Sequence, residues 1–80
     1  MQKIPLVSGL KIIKVLKKFG WVPVRQKGSH IILKKQGEKR SVPVPNHKEV
    51  DRNLVKEILK ETKVSIKDFL RYLFMFLFKK

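Results

Sequence analysis

The sequence predicts an α+β fold: a two-layer sandwich whose three-stranded antiparallel sheet carries helices on one face, in the order α-β-β-β-α-α. Three observations predict it. The spacing of apolar residues shortens from a 3.6 period to a period of 2 between Trp21 and Pro45, then lengthens again beyond Val50. Prolines fall in the first and third of the three period-2 segments (Pro23; Pro43 and Pro45) and not in the second. Proline cannot donate a ladder hydrogen bond, so this distribution places the second segment in the centre of a meander. Finally, no repeat, low-complexity linker or break in composition divides the 80 residues. They read as one domain, residues 1–80, with a core over about residues 3–72 and an apolar C-terminal extension over 73–80.

The first helix is expected over residues 8–19. Ser8 suits its N-cap, and Gly20 stands where a left-handed C-terminal stop belongs. Leu10, Ile12, Ile13, Leu16 and Phe19 make its apolar face, with Val15 at the edge. Lys11, Lys14, Lys17 and Lys18 occupy the rest, the last two near the negative end of the helix dipole.

Strands are expected over residues 21–26, 30–35 and 40–45, with turns at Lys27-Gly28-Ser29 and at residues 36–39. A four-residue second loop sets Leu33 opposite Val42 and Ile31 opposite Val44. Closing the first hairpin with Arg25 opposite His30 sets Val24 against Ile31 and Val22 against Leu33. Together these registers put Val22, Val24, Ile31, Leu33, Val42 and Val44 on one face, as a half-buried sheet requires. The other face then shows Trp21, Arg25, His30, Ile32, Lys34 and Ser41.

A loop over residues 46–50 leads to a helix over 51–63, with Asp51 as N-cap and a stripe of Leu54, Val55, Ile58 and Leu59. Ser65-Ile-Lys-Asp68 resembles a capping box and opens a third helix reaching residue 78. Its stripe is Ile66, Phe69, Leu70, Leu73, Phe74 and Leu77. The segment Leu73-Phe-Met-Phe-Leu-Phe78 is apolar on every side and ends in Lys79-Lys80. It is far shorter than the roughly 20 residues that span a bilayer, so no stable membrane insertion is expected. Packing on the core, docking of a protein partner and contact with a membrane surface compete as its role.

Composition narrows the function. Lys and Arg number 20 against 6 Asp and Glu, a formal net charge of +14. Such a surplus points to a polyanion, with nucleic acid first, or to an acidic protein partner. The 42% hydrophobic content in periodic runs argues against disorder. The absence of cysteine excludes a disulfide framework, a thiolate metal site and a cysteine nucleophile. With no cleavable apolar leader in view, the expected location is cytoplasmic.

Few catalytic schemes survive. Two histidines, His30 and His47, without converging carboxylates are too few for a zinc site, so neither metal nor cofactor is expected. A Ser29–His30 nucleophile–base pair fails because neighbours on a strand point to opposite faces. The scattered glycines form no phosphate loop. RNA cleavage asks for less, because RNA supplies its own nucleophile, the 2′-hydroxyl. Imidazole handles proton transfer near neutral pH. Arg25, Lys27 and Lys34 would engage phosphate, and Trp21 would offer a stacking face for a base. A surface histidine in a basic binding domain fits the same spacing, and the residue pattern leaves the two readings side by side.

A resemblance separates them. Lys3-Ile-Pro-Leu-Val-Ser-Gly9, Leu16-Lys-Lys-Phe-Gly-Trp21 and Val24-Arg-Gln-Lys-Gly-Ser-His-Ile-Ile-Leu33 resemble the HicA toxin family, and Val42-Pro-Val-Pro-Asn-His47 and Leu54-Val-Lys-Glu-Ile-Leu59 continue the likeness in order. It covers about residues 3–72 and is most specific in Arg-Gln-Lys-Gly-Ser-His. The resemblance implies a double-stranded-RNA-binding-domain-like fold and a metal-independent endoribonuclease that cleaves mRNA and arrests translation. It implies a HicB-type antitoxin as partner, with His30 catalytic and Gly28 and Ser29 in the turn that places it. His47 matches the histidine after the third strand, in an accessory role. The chain departs from the family in Arg52-Asn53-Leu54, where members often have Gly-Thr-Leu, and in its longer tail. The alternative function is a non-catalytic RNA-binding module of the same fold.

Overall fold

Ser8 starts the first helix as its sequence predicts: its Oγ accepts from the Lys11 N–H at 3.1 Å. In the computed structural model, which describes residues 3–78, that helix is α1, Gly9–Leu16, followed by a 3₁₀ turn, Lys17–Phe19. Gly20 closes it with a positive φ of 94°, and the Trp21 N–H reaches back to the Leu16 carbonyl at 3.2 Å. Three strands follow, β1 (Val22–Lys27), β2 (His30–Lys34) and β3 (Val42–Pro45), and then α2 (Arg52–Thr62) and α3 (Ile66–Phe78). The α+β class and the α-β-β-β-α-α order are as predicted.

The sheet order is β1-β2-β3 with both pairs antiparallel. The prolines therefore do lie on edges, with β2 between them. In the second pairing Leu33 faces Val42 and Ile31 faces Val44, the predicted register. Leu33, Val42 and Val44 are buried, and α1 and α2 both pack on β3.

The first pairing differs from the expectation. Lys27, rather than Arg25, stands opposite His30, and Arg25 stands opposite Ile32. The hairpin closes through two residues, Gly28 and Ser29, with φ of +60° at Gly28 and no other positive φ in the turn. That is the primed geometry whose twist suits paired strands, with glycine at its first central position. The register then shifts between Pro23 and Arg25, so Val24 is the extra residue of a bulge at the proline, where a ladder donor is missing. Val22 and Val24 are consequently 48% and 50% exposed and not in the core.

Trp21 takes the interior place instead. It is 1% exposed, and its indole N–H donates to the Thr62 carbonyl at 3.3 Å. The predicted position of Trp21 on the outer face is thus corrected: its large ring is buried where the start of β1 meets the end of α2. Thr62, also buried, turns its hydroxyl back to the Ile58 carbonyl at 2.8 Å, so both polar groups at this junction are satisfied.

Asp51 caps α2, its carboxylate accepting from the Asn53 and Leu54 N–H groups at 3.1 and 3.4 Å. Arg52, at a position where the sequence departs from the family pattern, donates through Nε to the Ile4 carbonyl. It ties the helix start to the N-terminal segment, which also bridges Val7 to Val50. Ser65 caps α3 by accepting from the Asp68 N–H at 3.0 Å.

The extension packs on the rest of the chain through Phe76: Leu73 is buried, and Tyr72 and Phe76 are partly buried against the core. Tyr72 meets Phe19 edge to face at 5.3 Å, and the Lys14 and Lys18 ammonium groups stand 4.8 and 5.8 Å from the Phe76 ring centre. The side chains of Leu77 and Phe78, and all of Lys79-Lys80, lie outside the described residues. Leu10, expected on the buried face of α1, is 61% exposed. Among the described residues, no helix is long and apolar enough to cross a membrane.

Candidate functional site

The β1–β2 turn presents His30. Gly28 adopts its positive φ in open space, with nothing near where a Cβ would stand, so glycine is there for its backbone freedom alone. The Gln26 side-chain amide donates to the Gly28 carbonyl at 3.1 Å and braces the turn from the strand side. From the other side, the Asn46 N–H donates to the Ser29 carbonyl at 2.7 Å. The residues immediately before His30 and His47 are therefore joined backbone to backbone. The His47 carbonyl in turn accepts from the Gly9 N–H at 2.9 Å. Gly9 approaches the Pro45 backbone so closely that a Cβ there would collide with its carbonyl oxygen. One chain of contacts thus runs from the start of α1, through the loop after β3, to the turn before His30.

His30 opens β2 with its side chain exposed on the outer sheet face. By register, Lys27 is its direct neighbour across the strands, and Arg25 lies one pair further along beside Ile32. Lys34 also lies on this face, paired with Val22. It stands roughly 13 Å along the strand from His30, so it extends the basic track away from the imidazole. None of the three strands contains an acidic residue, and the first acid in the chain is Glu38. Glu38 is in the β2–β3 loop, where it pairs with Lys63 at 3.3 Å. The field over β1 and β2 is accordingly cationic, which suits a phosphodiester and its developing charge.

Of the residues expected at the site, His30, Arg25, Lys27, Lys34 and the Gly28-Ser29 turn do come together on one sheet surface. His47 is exposed in the loop attached to that turn. Trp21 does not join them, because its burial leaves no face for a base. Sequence reasoning passed over Gln26, Gly9, Ile32 and Pro43. The signal for Gly9 was its place directly after the Ser8 cap, where a helix normally has no use for glycine.

A shallow hollow beside His30 is lined by Lys27, His30, Ile32 and Pro43. A larger one at the opposite end of the sheet is lined by the β2–β3 loop, the edge of Trp21, Glu61 and Lys63. Its lining has charges of both signs and no histidine, so size does not make it the chemical site. Among the described residues, no three histidine or acidic side chains converge to hold a metal ion.

Comparison with known proteins identifies the family. The family model described as the HicA toxin of bacterial toxin–antitoxin matches residues 9–64. A chain of a toxin–antitoxin complex from Streptococcus pneumoniae is similar in structure, with a TM-score of 0.66 and 32% sequence identity over 72% of this chain and 98% of that one. A search of the curated proteins returns no significant match. With 9–64 matched, a span containing the turn, both histidines and all three strands, the chain belongs to the HicA toxin family.

Proposed function

We propose that this chain is the toxin of a type II toxin–antitoxin pair and acts as a metal-independent endoribonuclease on mRNA in the cytoplasm, arresting translation. The observation that supports this most is the placement of His30: exposed, set by a glycine turn, and faced by Lys27 on a strand surface without carboxylates. Neutral imidazole accepts the proton of a ribose 2′-hydroxyl, whose oxygen attacks the adjacent phosphorus. The bond from phosphorus to the 5′-oxygen breaks, leaving a 2′,3′-cyclic phosphate. A proton from a general acid completes the 5′-hydroxyl. That proton comes from water, from a lysine such as Lys27, or from His47. Lys27 and Arg25 stabilise charge on the phosphoryl oxygens. Lys34 extends the track along the strand, and the helix lysines add non-specific RNA affinity. A HicB-type antitoxin is the proposed partner, and a surface this basic suits an acidic protein contact.

His30→Ala tests the assignment. Cleavage of mRNA in chelator should fall by roughly 10²–10⁴-fold, the usual worth of a positioned acid or base, while RNA affinity by filter binding and the circular dichroism spectrum stay at wild-type values. Wild-type cleavage by the variant removes His30 from the mechanism. Binding without cleavage by the wild-type chain itself supports the non-catalytic RNA-binding module instead.

A further inference from the structure

Ile32 is out of place for a core residue. It lies on the outer sheet face with His30, is only 9% exposed, and yet is not part of the hydrophobic cluster that fills the interior. Its neighbours across the sheet are Arg25 on β1 and Pro43 on β3. Pro43 is exposed, and it shares with Lys27, His30 and Ile32 the lining of one hollow. That hollow has an apolar floor, a cationic rim and an imidazole at its edge.

Building on the ribonuclease reading, we infer that Pro43 and Ile32 form a nucleobase subsite, in which the flat face of a base next to the scissile phosphate lies on the Pro43 ring. A nucleotide is a flat heterocycle with apolar faces joined to an anion, and the hollow offers a complement to each part at the distance of neighbouring side chains. Proline gives a rigid ring with no rotamer freedom to lose, and Ile32 supports it from the adjacent strand. Lys27 rims the floor, Arg25 pairs with Ile32 beside it, and their charge favours an RNA nucleotide over an uncharged apolar ligand. Trp21, the residue whose type would ordinarily do the stacking, is buried elsewhere, which leaves Pro43 as the exposed ring beside the imidazole. The subsite holds the ribose so that its 2′-hydroxyl meets His30.

Single-stranded DNA with one embedded ribonucleotide has only one possible nucleophile, so its scissile phosphate is known in advance. Three such strands are compared: intact, abasic at the ribonucleotide, and abasic at the nucleotide 3′ to it. Each is assayed for Kd and kcat/KM with the wild-type chain, Pro43→Ser and Ile32→Thr. Removing the base at one of the two positions should cost the wild type about tenfold, the low end of what stacking on an aromatic side chain is worth, as suits a saturated ring. The penalty should shrink toward none in Pro43→Ser, with an unchanged thermal unfolding midpoint. An equal penalty in wild type and Pro43→Ser, or no penalty at either position, overturns the subsite and leaves the hollow to a protein contact. If the wild type binds all strands but cleaves none, the ribonuclease reading fails, and the Kd penalty still decides the subsite: a penalty that Pro43→Ser abolishes supports it, and one that it leaves intact overturns it.

Discussion

Strands β1 and β3 pair with the same central strand from opposite sides, and they are stabilised by different means. In β3, Val42 and Val44 point inward at alternate positions and are buried beneath α1 and α2. In β1 all six residues are exposed, including two valines. It is held by its ladder to β2 and by Trp21, buried at its entrance. The β3 side of the sheet is thus committed to packing, while the β1 side keeps its cations and its turn free. His30 stands in the central strand at the end nearest that free turn. The difference teaches that the candidate site occupies the part of the sheet with the least packing to satisfy.

The comparison can be broken most directly at Trp21. If this one residue anchors β1, Trp21→Ala should lower unfolding stability by about 3–5 kcal/mol, a large share of the roughly 4–12 kcal/mol expected for a domain of this length. Urea unfolding followed by circular dichroism measures it. A loss below about 1 kcal/mol would show that β1 needs no such anchor. The paired substitutions Val44→Ala and Val24→Ala then sharpen the contrast between the strands. The first deletes buried methyl groups and should cost about 2 kcal/mol; the second removes half-exposed ones and should stay within about 0.5 kcal/mol. Equal losses would mean that β1 is packed as tightly as β3. The turn comes last, with a cost below that of the buried valine. Gly28→Ala meets open space and a positive φ that side-chain-bearing residues rarely adopt, so its cost of about 1 kcal/mol is wholly backbone strain. On the ribonuclease proposal, Gly28→Ala should also cleave RNA more slowly, because a relaxed turn moves His30 relative to Lys27.

Much of this was legible in the residues. Proline placement set the strand order, and the loop over residues 36–39 set the second register, which the valines at 42 and 44 matched in parity. The helix starts at Ser8, Asp51 and Ser65 followed from capping chemistry. The grouping of Arg25, His30 and Lys34 on one face was also readable, because it depends on parity alone. The first hairpin was misread for a physical reason. Burying Val22 and Val24 looked favourable, and that preference called for a four-residue closure with Arg25 beside His30. Gly28 instead permits a two-residue closure, and the bulge at Pro23 then absorbs the mismatch. Turn geometry overrode hydrophobic alternation, and it moved Lys27 into the place beside the imidazole. Trp21 was misplaced by the same error, since a bulge turns everything before it. The approach of Gly9 to Pro45 joins residues far apart in the chain, and no local pattern announces it.

Trp21 is also the only tryptophan in the chain, and its ring is buried with the N–H bonded to the Thr62 carbonyl. Its near-ultraviolet emission therefore comes from a buried site at the opposite end of the sheet from His30. The fluorescence should lie toward the blue and shift to the red when the strand entrance opens, while filling of the hollow beside His30 leaves it unchanged. The protein thus carries an optical gauge of its own integrity that is independent of its substrate. That independence allows a loss of cleavage in any outer-face variant to be separated, in the same cuvette, from a loss of fold.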